Sequence, residues 1–112
     1  MGLSASHLAA LATLERHGPM PLGELAAREK VAPPSMTRVV TRLSDADLVA
    51  RQIKPGDRRQ VLVEITAAGS TLLAADRKRR DEWLSSRLAE LTPEDLAALE
   101  RVVPVLERLA AS

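Results

Sequence analysis

A mainly α fold carrying one small β-hairpin, an α+β arrangement, is what this sequence predicts, and three observations predict it. Apolar residues recur at helical spacing along most of the chain. Two short runs rich in Val and Ile flank a Pro-Gly pair near the middle, the signature of strands joined by a turn. A single aromatic residue, Trp83, leaves the core to Leu, Val, Ala, Ile and Met, as suits helices packed on helices.

The elements follow in order. Leu8, Leu11 and Leu14 put an apolar face on a first helix over residues 4–17, which Gly18-Pro19 stops. Leu22, Leu25 and Ala26 predict a second, over residues 21–30, with Glu24 in the first turn where the helix dipole favours an anion. Val31-Ala32-Pro33-Pro34 is extended, because a residue before proline is pushed out of the helical region; a third helix then runs from Pro34 to Ala46. Leu48 to Ile53 and Gln60 to Thr66 are the two strands, with Val61, Val63 and Ile65 facing inward and Leu62 breaking the alternation. A long helix opens at Thr66-Ala67-Ala68-Gly69 and passes a mixed-charge stretch, Asp76 to Glu82, on its way to Leu91. Thr92-Pro93-Glu94-Asp95 is a strong start for a last helix, whose apolar series Leu96, Leu99, Val103, Leu106, Leu109 continues past a kinking Pro104.

At 112 residues, with 46% apolar and 28% charged, the chain holds one small core. The expected division is a lobe over residues 1–66 and a helical region over 67–112. No apolar run reaches the roughly 20 residues of a membrane span, and no secretory leader precedes the first helix, so the expected compartment is the cytoplasm. Zero cysteines exclude a disulfide frame, a thiol nucleophile and a thiolate metal site. His7 and His17 share no helical face, so no metal is expected. No serine has a paired histidine and orienting acid, and there is no glycine-rich phosphate loop, so neither an enzyme nor a cofactor is expected. Met20 and Met36 read as gap-fillers, and Trp83 as a core or interface aromatic.

Net charge is only +1, yet residues 28–59 hold eight bases against four acids. One stretch therefore carries a positive field that would attract a polyanion. On a helical wheel, Met36, Val39, Val40 and Leu43 share one arc of the third helix, while Thr37, Arg38, Thr41, Arg42, Ser44 and Asp45 take the rest. Two arginines and two threonines on the outer face suit a helix lying in the DNA major groove, with Pro34 and Ser35 at its N-terminus offering backbone amides to a phosphate. The hairpin tip, with Lys54, Arg58 and Arg59, suits a wing on phosphates or in the minor groove.

These stretches together resemble the MarR family of bacterial regulators. The matching residues are Leu3-Ser4 with Leu11 to Leu14, Gly23 to Ala26, Pro33 to Arg38, and Asp57-Arg58-Arg59 followed by Val61 to Thr66 and Gly69. The resemblance implies a winged helix-turn-helix lobe plus two C-terminal dimerisation helices, binding double-stranded DNA at a palindromic operator as a homodimer. It implies that Ser35, Thr37, Arg38 and Arg42 face the major groove, that Arg59 reaches the minor groove, and that Asp57 holds Arg59 in place. It also implies a ligand-responsive repressor whose effector is a small aromatic molecule held between the lobe and the dimer helices.

Family members usually begin with one further helix, and Met1 here stands immediately before the second. The expectation is either a truncated start or a dimer resting on residues 72–109 alone, with Leu84, Leu88, Leu99, Val103, Leu106 and Leu109 in the interface. Some of these residues would complete the subunit's own core instead. Two other readings remain open: a winged-helix module that binds protein rather than DNA, and a truncated relative that does not bind DNA.

Overall fold

The computed structural model describes residues 2–53, 56 and 60–111. It divides the chain into two compact units, residues 1–76 and 77–112.

The first unit opens with α1, Ala5–His17. Ser4 precedes it in extended conformation, and its backbone N–H donates to His7 Nδ1 at 3.0 Å, so His7 closes a helix end. Gly18, at φ 83°, ends the helix by donating its N–H to the Leu14 carbonyl at 2.9 Å. A short strand, β1, Met20–Pro21, comes next, and α2 spans Leu22–Glu29. Residues 20 and 21 thus pair as a strand, and the second helix starts one residue later than the Leu22-Leu25-Ala26 spacing suggests. Proline has no N–H for a ladder and is tolerated at a sheet edge, which is where β1 lies. Lys30 closes α2 in the left-handed conformation at φ 57°.

The third helix, α3, runs from Pro33 to Asp45. A tight turn follows, with Asp47 at φ 60°, a conformation that Asp tolerates better than most residues. Strands β2, Val49–Ile53, and β3, Val61–Ile65, pair antiparallel with Val49 opposite Ile65 and Ile53 opposite Val61. On its other edge β3 pairs with β1, Met20 opposite Val63, so the hairpin becomes a three-stranded sheet in the order β1-β3-β2. The central place of β3 explains its burial: Val63 is enclosed and Ile65 half-buried. Val61, expected inside, is exposed, because its cross-strand partner Ile53 is exposed too and both lie beyond the reach of the core.

One apolar cluster unites the unit. It joins Leu11 and Leu14 of α1, Leu25 of α2, Met36, Val40 and Leu43 of α3, Val49 and Val63 of the sheet, and Leu73 of α4, Ala67–Leu88. Each such side chain contributes roughly 1.5–3 kcal/mol by leaving water. Both expected gap-fillers, Met20 and Met36, lie in this cluster. Helix α4 begins where Thr66 accepts the Gly69 N–H at 3.0 Å, and it continues into the second unit. Gly69 packs so tightly that a Cβ there would collide with the Leu48 carbonyl oxygen and crowd Ile65.

The second unit holds the end of α4 and all of α5, Pro93–Ala111. Thr92 caps α5 by accepting the Asp95 N–H at 3.1 Å, and the helix continues through Pro104. No residue of α5 is buried. Trp83 is 60% exposed, outside the buried cluster, and the Arg87 guanidinium lies 5.2 Å from its ring centre.

Candidate nucleic-acid interface

The turn between α2 and α3 is only three residues long, and both helices contribute to the same core, so α3 is held with one stripe fixed inward. Met36, Val40 and Leu43 are buried and Val39 half-buried, as the wheel predicts. Thr37, Arg38, Thr41 and Arg42 are exposed together on the opposite side, with Pro34 exposed and Ser35 half-buried at the helix start. The structure thus brings these six predicted residues onto one helix end and its outer face.

Local hydrogen bonds decide what this face can offer. The Arg38 guanidinium donates to Ser35 Oγ at 3.4 Å, one turn back along the helix. The Thr37 hydroxyl donates to the Pro33 carbonyl at 3.0 Å. Its proton is therefore engaged within the helix, and it can present only oxygen lone pairs and a methyl group outward.

The expectation that the start of α3 offers free amides to a phosphate is not met. Pro33 and Pro34 have no N–H, and the Ser35 and Met36 amides donate to the Ala32 carbonyl at 3.0 and 3.1 Å. A phosphate near this helix would have to be held by side chains.

Lys54, Asp57, Arg58 and Arg59, the predicted wing residues, lie outside the described residues. The strands that carry them are described, and they add Arg51, exposed on β2, which sequence reasoning counted among the basic residues without giving it a role. Gln52 on β2 donates to Glu64 on β3 at 3.1 Å, a cross-strand tie on the hairpin.

Among the predicted interface residues of the second unit, Leu84, Leu99, Val103, Leu106 and Leu109 are each at least 38% exposed, and Leu88 is half-buried. Among the described residues no group of three His, Cys, Asp or Glu side chains could hold a metal ion. No helix among them is long and apolar enough to cross a membrane.

Three helices, a short turn into an outward-facing third helix and an antiparallel hairpin define a winged helix-turn-helix protein. Comparison with known proteins agrees: residues 3–61 match the model of the MarR family, and the chain belongs to that family. Among its relatives, the HTH-type transcriptional regulator Mb0904 of Mycobacterium bovis is 51% identical over 89 residues, covering 80% of this chain and 62% of the relative. The regulator ML2140 of Mycobacterium leprae is 43% identical over 107 residues, covering 96% and 75%. The chain thus spans less than two thirds of the length of Mb0904. Among solved structures, the YusO protein of Bacillus subtilis superposes with a TM-score of 0.85 at 27% identity, covering 96% of this chain and 76% of that one. Mb0904 and ML2140 are both named as HTH-type regulators of transcription.

Proposed function

We propose that this protein is a transcriptional regulator that binds double-stranded DNA, laying the outer face of α3 in the major groove and its hairpin against the flanking backbone. The observation that carries this reading is the division of α3: a buried stripe of Met36, Val40 and Leu43 fixes the helix, and Thr37, Arg38, Thr41 and Arg42 stand exposed on the far side. Arginine there can grip guanine bidentately, and threonine can contact bases by its oxygen or its methyl group. Pro34 and Ser35 lie at the backbone end of the helix; Lys54, Asp57, Arg58 and Arg59 form the wing in this reading.

The regulator acts as a homodimer through residues 67–112, and residues 1–66 form the DNA-reading lobe. On α5, Leu96, Leu99, Val102, Val103, Val105, Leu106 and Leu109 occupy roughly half of the helix circumference, wider than one neighbouring helix covers. All seven are exposed, an apolar surface that a two-fold partner would cover. Two copies would set their reading helices about one DNA turn apart, ~34 Å, and so favour a palindromic site. One relative, MdtR of Bacillus subtilis, is named a transcriptional repressor, and repression modulated by a small ligand is the mode proposed here.

Selection of bound duplexes from a random pool tests this directly. The expected result is an enriched inverted repeat whose half-sites are one helical turn apart. Failure to enrich any sequence, with no retention of duplex at low salt, would remove the DNA-binding reading.

A further inference from the structure

Beside the reading helix lies a cleft of about 320 Å³ between the start of α1, the end of α2 and the first turns of α3. A volume of that order, ~300 Å³ or more, accommodates a small organic molecule. Its walls are mainly apolar, with Ala9, Val31, Met36 and Val39 among them, and Ser6 and Ser35 add hydroxyl groups. Among the described residues only one charged side chain lines it, Glu29.

The environment of Glu29 determines what the cleft prefers. Glu29 is half-buried at the end of α2, and its Oε2 accepts the Thr13 hydroxyl at 2.7 Å, which holds the carboxylate in place. Among the described residues no cation sits within ion-pair distance of it. Arg28 pairs with Glu24 at 3.2 Å, Arg38 leans on Ser35, and Lys30 makes no bond to it. A half-buried carboxylate without a counter-charge, set against apolar walls, is complementary to a cation with an apolar body.

The opposite charge is disfavoured for a structural reason. A cleft at a helix start would ordinarily attract an anion, but Pro33 and Pro34 lack an N–H and the next two amides donate to Ala32. We infer that the cleft is a binding site for a small organic cation, an amine or quaternary ammonium on an aromatic or aliphatic body, with Glu29 as its counter-ion. Ser35 lines the cleft and also accepts from Arg38, so a bound ligand competes for the group that steadies a DNA-facing arginine. The site stands independently of the DNA reading; only its effect on DNA binding rests on that reading.

The test titrates the full chain with 2-phenylethylammonium and, separately, with the anionic 3-phenylpropanoate, following the ligand by NMR. The amine is expected to bind and the anion to bind at least tenfold more weakly. Glu29→Gln keeps the shape and the acceptor for Thr13 and should weaken the amine about tenfold, the scale of one charge-assisted hydrogen bond. Ala9→Leu, at an exposed position that tolerates a larger side chain, should fill the cleft and abolish binding. No binding of the amine, equal binding of the anion, or an unchanged affinity in Glu29→Gln each overturns the site. In a parallel titration with a selected duplex, the amine should weaken DNA binding by the parent but not by Ala9→Leu. An unmoved duplex affinity despite amine binding would overturn the regulatory link alone, whereas a parent that retains no duplex would remove the DNA reading and leave the site to the amine data.

Discussion

The Thr66 hydroxyl donates to the backbone carbonyl of Asp47 at 2.7 Å and accepts the Gly69 N–H at 3.0 Å, so one side chain ties the turn after α3 to the start of α4. The same threonine donates its own N–H to the Leu48 carbonyl at 3.0 Å. It therefore links the end of α3, the sheet and the start of α4 at a single point. Thr66→Val removes both side-chain bonds and keeps the shape. It should destabilise the protein by about 1–3 kcal/mol in chemical denaturation, the combined scale of a lost cap and an unpaired carbonyl. An unchanged denaturation midpoint would show that the tie has no energetic weight.

Gly69 carries a second prediction. A methyl group here would strike the Leu48 carbonyl, a backbone atom that cannot swing away and is already bonded to Thr66. Gly69→Ala should cost about 1–3 kcal/mol through overpacking, even though alanine is the better helix former. A thermal melt at or above that of the parent would contradict this packing.

Much of the fold is legible in the sequence, and the exceptions have physical reasons. The pattern of α3 is plain because helical periodicity encodes which side faces the core, and Met36, Val40 and Leu43 are buried accordingly. Strand β1 is not legible: two residues have no period, and Met20-Pro21 becomes a strand only because β3 lies beside it. Val61 shows a related limit, since alternation tells which face a residue takes but not where along the strand the core ends. The absence of free amides at Pro33 and Pro34 follows from proline chemistry alone, whereas the engagement of Ser35 and Met36 needs the turn geometry around Ala32. The tie from Thr13 to Glu29 spans sixteen residues and leaves no local trace.

The exposed apolar surface of α5 predicts association. Leu106, 53% exposed, lies in the middle of that surface, so a charge there would disturb a partner more than the subunit itself. Leu106→Asp should convert a dimer to a monomer by light scattering at micromolar concentration, with little change in far-ultraviolet circular dichroism. A parent already monomeric under these conditions would remove the dimer from the account.

Thr37 separates two ways of touching DNA. Because its proton is held by the Pro33 carbonyl, donation to a phosphate is not its role, and Thr37→Val should keep duplex affinity within about threefold, under the ~1.4 kcal/mol of a tenfold change. A much larger loss, measured by fluorescence anisotropy, would mean that the hydroxyl rotates to donate in the complex.

Binding of a selected duplex by the parent, Arg38→Ala and Arg59→Ala, measured at about 50 and 200 mM salt, tests the central claim most directly. Both variants are predicted to bind more weakly and with a shallower salt dependence, by about one unit of slope each, and Arg38→Ala should also lose ~1–3 kcal/mol of base discrimination. Three proteins with the same affinity, the same slope and the same base preference would contradict the assignment of α3 and the hairpin as the DNA-reading surface.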